Sequence, residues 1–188
     1  NGTDTIGDTG NVIYGYNQAG SNFFLAADPL SSGVNWNYQT FGMWETGRGT
    51  GSGTAGGISI GAATAGSNIP TSESATYNGY FAGAISDYDG DDFLTQGSVA
   101  LIADFGNRTL TFDTTGTKYI SPVASSPTWQ TNASMNLTNV AGTKLSWSDA
   151  TNSFGGSVKN GNGVLTGTVL GRFYGPNAEE LGGVYNLS

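Results

Sequence analysis

The string GRFYGPNAEELGGVY, from Gly171 to Tyr185, determines how this chain closes its fold. The strand-like run that enters the string stops at Gly175, and Pro176 presets φ for one short helical turn. Two acidic residues lie in this turn, where negative charge close to a helical N-terminus is favourable. Gly182-Gly183 then supplies a left-handed exit before a last strand from Val184 to Leu187. The string therefore predicts a strand, a helical turn and a second strand that closes a sheet.

Upstream of this string the sequence alternates in the way that β-strands do. From Leu165 to Phe173 every second residue is a large apolar side chain or a glycine, which suits the interior of a small closed barrel. Apolar alternation also flanks the turn sequences at 106–107 and 160–163, and this predicts two hairpins. A long, bent strand is predicted from Ala75 to Ile85. Because helix signals are nearly absent, the fold class is all-β, with a barrel favoured over a sandwich.

The segment from Asn11 to Thr46 is unusually rich in aromatic residues. It holds eight of them, among which are Tyr14, Tyr16, Phe23, Phe24, Trp36 and Tyr38. Two interpretations stay open for this aromatic-rich N-terminal β segment. The rings either form a surface that contacts carbohydrate or protein, or they cover the barrel and fill its mouth.

A glycine-rich stretch follows and contains the spacing G-x-G-x-x-G at Gly51, Gly53 and Gly56. A dinucleotide site needs those glycines between a strand and the N-terminus of a helix. No helical periodicity follows them here, so the stretch predicts a flexible loop or an edge strand.

Composition excludes several classes of function for these 188 residues. The chain has no Cys and no His, which rules out thiolate zinc sites, histidine bases and the Ser-His-Asp triad. A net charge of −8 with only six Lys and Arg argues against nucleic acid and anionic membrane surfaces as partners. No apolar run approaches the length of about 18 residues that spans a membrane as a helix. We therefore expect a protein that is not an enzyme and that has no obligatory cofactor.

One dense acidic run could hold a metal ion. Asp87, Asp89, Asp91 and Asp92 crowd a loop that also contains a glycine, and calcium prefers several oxygen ligands from one flexible loop. The order does not complete the twelve-residue EF-hand pattern, because no Glu stands at its last position. The run predicts either a calcium site or a solvated turn.

The closing string closely resembles the closing hairpin of the transferrin-binding-protein-B-like β-barrel domain of bacterial surface proteins. The resemblance extends, in the family's order, to FGMWETG at 41–47, PTSESATYNGYFAG at 70–83 and VALIADFGNRTLTF at 99–112. It covers residues 41–188 and implies an eight-stranded antiparallel up-and-down barrel. We therefore expect the barrel at 41–188 and a separate N-terminal segment at 1–40 that is handle-like or available for strand exchange.

The resemblance implies a non-enzymatic binding protein, secreted or on the bacterial cell surface. Its barrel would be a scaffold that holds a host protein, haem or another ligand. Low charge with abundant Gly, Thr, Ser and Asn also favours a secreted location. The chain has no Cys for an N-terminal lipid, so we expect a freely secreted member or a domain of a larger product. Without His, haem ligation would depend on Tyr or Met.

The alternative function is a structural or assembly subunit of an extracellular matrix or filament. Val12 to Tyr16 alternates like a strand, and a strand without a partner in its own barrel can pair with the open edge of a neighbouring chain. This hypothesis predicts self-association through the N-terminal strand.

Overall fold

The computed structural model describes residues 5–8, 12–17, 22–31, 35–47, 50, 52–86, 92–120, 128–148 and 151–188. The all-β prediction is confirmed, since the described residues form fourteen strands and two single-turn 3-10 segments, Gly66–Asn68 and Ala133–Met135. Within this part of the chain, no helix has the length and apolar character needed to cross a membrane. Every strand pairing is antiparallel, and the strands divide into two sheets.

The first five strands form the N-terminal sheet, in which each strand pairs with the next one along the chain. They are β1 (Thr5–Asp8), β2 (Val12–Tyr16), β3 (Phe23–Ala27), β4 (Gln39–Thr46) and β5 (Thr54–Gly61). The glycine-rich stretch therefore provides an edge strand, β5, as its composition predicted. Because β4 belongs to this sheet, the strand pairing changes after Gly61 and not at residue 40. The division into domains at residue 40 stays a prediction.

The pairing of β2 changes the hypothesis of strand exchange. β2 pairs with β1 on one side and with β3 on the other. Val12 to Tyr16 is therefore not a strand without a partner, and the observation that prompted the assembly hypothesis does not hold.

The other strands form the C-terminal sheet, with the path β14-β13-β12-β10-β8-β7-β6. They are β6 (Ser74–Ser86), β7 (Asp92–Asp104), β8 (Thr109–Ile120), β9 (Gln130–Thr131), β10 (Leu137–Asn139), β11 (Leu145–Ser148), β12 (Ser153–Asn160), β13 (Thr166–Tyr174) and β14 (Glu180–Leu187). The C-terminal sheet has nine strands where eight were expected, and they occupy seven places. The short strands β9, β10 and β11 share one place, because all three pair with the edge of β8 that does not pair with β7. No pairing joins β6 to β14, although both strands are described over their full length.

The C-terminal sheet curls around an aromatic core. In a flat sheet the five steps from β6 to β13 would separate these strands by about 24 Å. Instead, the rings of Tyr77 on β6 and Phe173 on β13 have their centroids 6.2 Å apart. Phe105, Trp147 and Phe154 also contact Phe173, which is completely buried. The strands therefore enclose one core in the manner of a barrel.

The predicted alternation is present in the C-terminal sheet. Along β13, Val169 and Phe173 are buried while Leu170 and Arg172 are exposed. Both predicted hairpins are present, as β7–β8 and β12–β13. The predicted helical turn after Gly175 is instead a non-helical turn, and β14 begins at Glu180 and not at residue 184.

The connection between the sheets is bound to the end of β13. The backbone N–H of Thr64 donates to the carbonyl of Phe173 at 3.0 Å, and that of Gly175 donates to Ala62 at 2.8 Å. Ile69 then enters the core of the C-terminal sheet, where 3% of it is exposed. These contacts fix the N-terminal sheet against one end of β13 and β14.

Candidate functional site

The outward face of the N-terminal sheet carries a group of exposed apolar side chains. Phe24 on β3 lies directly opposite Trp44 on β4, and these residues are 42% and 44% exposed. Residues directly opposite each other share a face, and side chains repeat on a face with a period of two. The registers therefore add Ile13, Ile58 and Ile60, which are also exposed. We call these five residues the apolar face.

Two glycines hold the rings of the apolar face flat on the sheet. Gly15 lies opposite Phe24, and Gly56 lies opposite Trp44. A Cβ added to Gly56 would lie 2.5 Å from Cζ2 of Trp44, and one added to Gly15 would overlap the ring of Phe24. Each ring therefore covers a position that has no side chain, and this limits its rotamers. Across strands β2 to β5 this face carries no charged residue.

The inward face of the same sheet packs against the C-terminal sheet. Met43 is 6% exposed on this face, and the rings of Trp36 and Phe41 lie 5.7 Å apart at the junction. A Cβ added to Gly57 would lie 3.1 Å from Val184 on β14. The rings of the aromatic segment therefore divide between two places. Trp36 and Phe41 cover the barrel, whereas Phe24 and Trp44 are exposed on the apolar face. Contact of the exposed rings with carbohydrate or protein stays a prediction.

The two acidic residues of the closing string hold turns together and do not cap a helix. The carboxylate of Glu180 accepts from the backbone N–H of Asn37 at 2.7 Å and of Tyr38 at 3.1 Å, which joins β14 to the N-terminal segment. Glu179 accepts from the backbone and side chain of Asn177. The backbone hydrogen bond from Asn177 lowers the pKa of Glu179. Ala178, between Asn177 and Glu179, has a φ of 63°, and a helical turn does not allow this value.

The acidic run proposed for calcium falls mostly outside the described residues. Asp87, Asp89 and Asp91 lie there, and Asp92 is the first residue of β7, opposite Ser86. Within the described ranges, no group of three or more Asp and Glu is placed to hold a metal ion. The calcium site stays a prediction.

The chain is an all-β protein in which a smaller sheet with an exposed apolar face precedes a sheet that curls into a barrel. The family of the C-lobe and N-lobe β barrels of Tf-binding protein B matches residues 69–188. The chain belongs to this family, as the closing string indicated. The match begins at Ile69, the residue with which the chain enters the barrel core.

Two solved structures resemble the chain over both sheets. One is a double mutant of the vaccine antigen Transferrin Binding Protein B from Haemophilus parasuis Hp5, with a TM-score of 0.58 and 16% identity over 97% of this chain. The other is intact Ap-TbpB with its N and C lobes, with a TM-score of 0.55 and 17% identity, also over 97% of this chain. The chain spans 35% and 34% of these two structures. No curated protein matches the sequence.

Proposed function

We propose that this chain is a non-enzymatic binding protein, secreted or on the bacterial cell surface, that contacts a partner protein through the apolar face. The observation that carries the proposal is a set of five exposed apolar side chains, two of them aromatic, on a face without charge in strands β2 to β5. Contiguous exposed apolar surface marks an interaction site more often than it serves the folded monomer.

The type of surface supports a protein partner over a small ligand. The rings of Phe24 and Trp44 lie over Gly15 and Gly56 on an open sheet face, and they are 42% and 44% exposed. Such a face contacts a broad surface more readily than it encloses a small flat molecule such as haem. Buried aromatic residues near the centre of an interface carry much of the binding free energy. Transferrin is the first partner to test, because both solved relatives are transferrin-binding proteins by name.

The experiment compares one double variant with a matched control. Phe24→Ser with Trp44→Ser removes both rings of the apolar face. Ile102→Ser removes an equally exposed apolar side chain, 49% exposed, from the barrel surface. Binding to immobilised transferrin is measured by biolayer interferometry, followed by capture from whole serum if transferrin gives no signal.

We expect the double variant to bind the partner at least about tenfold more weakly, which corresponds to about 1.4 kcal/mol. We expect Ile102→Ser to bind like the wild type. Equal affinities for the three proteins would place the contact elsewhere. No binding to transferrin or to any serum component would contradict a host-protein partner.

The alternative, an assembly subunit joined by strand exchange, receives no such support. Its premise was an unpaired strand at 12–16, and β2 is paired along both edges. Size-exclusion chromatography of the chain with and without residues 1–20 tests it directly. Two monomers across micromolar concentrations would remove it from consideration.

A further inference from the structure

A long cavity of about 800 Å³ lies at the seam between β6 and β14, where the sheet path ends on both sides. Ten consecutive residues of each side line it, 76–85 and 179–188. A strand exposes only alternate residues on one face, so an unbroken run shows that the strand edges themselves border the cavity. It extends from Gln39 on β4 to Thr117 and Leu165 inside the barrel.

The seam cavity is elongated. Ten extended residues span roughly 30 Å, so the cavity runs along most of β6 and the whole of β14. An extended aliphatic chain fits a cavity of that length. Its walls include the rings of Phe81 and Tyr185, whose centroids are 6.1 Å apart across the seam.

Glycine at position 79 leaves part of this space open. A Cβ added to Gly79 would meet only Trp36 at 3.6 Å and Val99 at 3.8 Å, which are ordinary contact distances. At Gly83, by contrast, an added Cβ would overlap the hydroxyl of Tyr185. A Cβ at position 79 therefore displaces nothing, and because Gly79 lines the cavity, a larger side chain there takes up part of its space.

Two residues that line the cavity each have a buried side-chain oxygen without a hydrogen-bond partner. These oxygens are Oε1 of Gln39, in a residue that is 7% exposed, and Oγ1 of Thr117, in a residue that is 1% exposed. An unsatisfied buried polar group is destabilising, so such groups beside a cavity indicate a polar partner that the folded chain itself does not supply. A side-chain amide can both donate and accept.

We propose that the seam cavity binds an elongated aliphatic molecule whose terminal hydroxyl or amide group hydrogen bonds to the side chain of Gln39. The aliphatic chain would lie between β6 and β14 and extend towards Thr117. This binding site is separate from the apolar face, because Gln39 and Trp44 lie on opposite sides of β4.

The first arm of the test uses cis-parinaric acid, a linear polyene that becomes fluorescent in apolar surroundings. The wild type is expected to bind it saturably, and Gly79→Leu to bind it at least tenfold more weakly. Gly106→Leu is the matched control, because it adds the same side chain in the turn between β7 and β8, where an added Cβ meets only Asp104 at 3.6 Å. Circular dichroism establishes that each variant is folded.

The second arm does not depend on Gly79→Leu. Dodecan-1-ol and dodecane compete for the bound probe, and the wild type is expected to prefer the alcohol by at least tenfold. Gln39→Met keeps the length of the side chain and removes the amide, so the two competitors should become equivalent. The proposal is overturned if the wild type does not bind the probe, if folded Gly79→Leu binds it normally, or if Gln39→Met retains the preference for the alcohol.

Discussion

Replacement of Gly171 by Ala is the most direct test of how the barrel is packed. Gly171 on β13 lies opposite Phe154 on β12 and opposite Gly183 on β14. An added Cβ would lie 2.5 Å from the carbonyl oxygen of Gly182 and 2.6 Å from Cε2 of Phe154. Phe154 is 2% exposed, and its ring also contacts the buried ring of Phe173, which restricts its movement.

The magnitude follows from these distances. Heavy atoms in ordinary contact are about 3.5–4.0 Å apart, so the new methyl group overlaps both neighbours by about 1 Å. Overpacking of this kind costs about 1–3 kcal/mol. Gly→Ala at an unstrained position gains about 0.4–1 kcal/mol, because it restricts the unfolded chain. We therefore expect Gly171→Ala to lower the free energy of unfolding by about 1.3 kcal/mol.

Two matched variants make the measurement decisive. Gly79→Ala adds the same methyl group where contacts are ordinary, so it should gain about 0.5 kcal/mol. Arg172→Gln changes the exposed neighbour of Gly171 and should stay within about 0.5 kcal/mol of the wild type. Urea unfolding followed by tryptophan fluorescence gives all three values. If Gly171→Ala is as stable as Gly79→Ala, the inward assignment of Gly171 is wrong.

Four further outcomes are expected. Asn152→Ala should lose about 3 kcal/mol in urea unfolding, because the buried amide donates to Thr64 and Phe173 at 2.6 and 2.9 Å and accepts from Phe173 at 3.0 Å; a loss within error of zero would contradict this. Glu180→Gln should speed hydrogen exchange at the two amides that the carboxylate accepts from, and unchanged exchange would show that they are protected otherwise. The side-chain hydrogen bond from Asn107 lowers the pKa of Asp104. The ionised carboxylate therefore stabilises the fold at neutral pH, and this stabilisation is lost as the pH falls through the lowered pKa. Asp104→Asn should accordingly reduce the fall of Tm at acid pH. Calcium should raise Tm by an amount that grows with its concentration, and Asp89→Asn should weaken the response. Identical melting curves in calcium and in chelator would remove the metal site.

The strands of the barrel were predictable from the sequence because their signal is local. In β13, a period of two places Val169, Gly171 and Phe173 on one face, and the burial of these residues follows it. The hairpin between β7 and β8 was equally evident from Gly106-Asn107. Neither inference required knowledge of any distant residue.

The division of strands between the sheets could not be read in the same way. β4 has the alternation of a barrel strand, yet it pairs with β3 and β5. Periodicity identifies a strand but does not identify its neighbour, since pairing depends on residues far away in sequence. The open seam between β6 and β14 escaped prediction for the same reason.

The helical turn predicted after Pro176 fails because of local hydrogen bonds. Asn177 donates its backbone and side chain to Glu179, two residues on, and such bonds compete with helical geometry. The φ of 63° at Ala178 then turns the chain directly into β14. The composition of the string was compatible with both outcomes.

The closing string, Gly171 to Tyr185, positions the N-terminal sheet as well as closing the barrel. Gly182 has no side chain, and a Cβ there would lie 2.6 Å from both Oε1 of Gln39 and Oγ of Ser59, so its absence lets the N-terminal sheet approach β14. Glu180 then accepts from the backbone at Asn37 and Tyr38 and secures the approach. Because β4 is held in this position, its alternate residues belong to two surfaces: Gln39 lines the seam cavity, and Trp44 is exposed to solvent. The closing string therefore ends one barrel strand and also orients the apolar face.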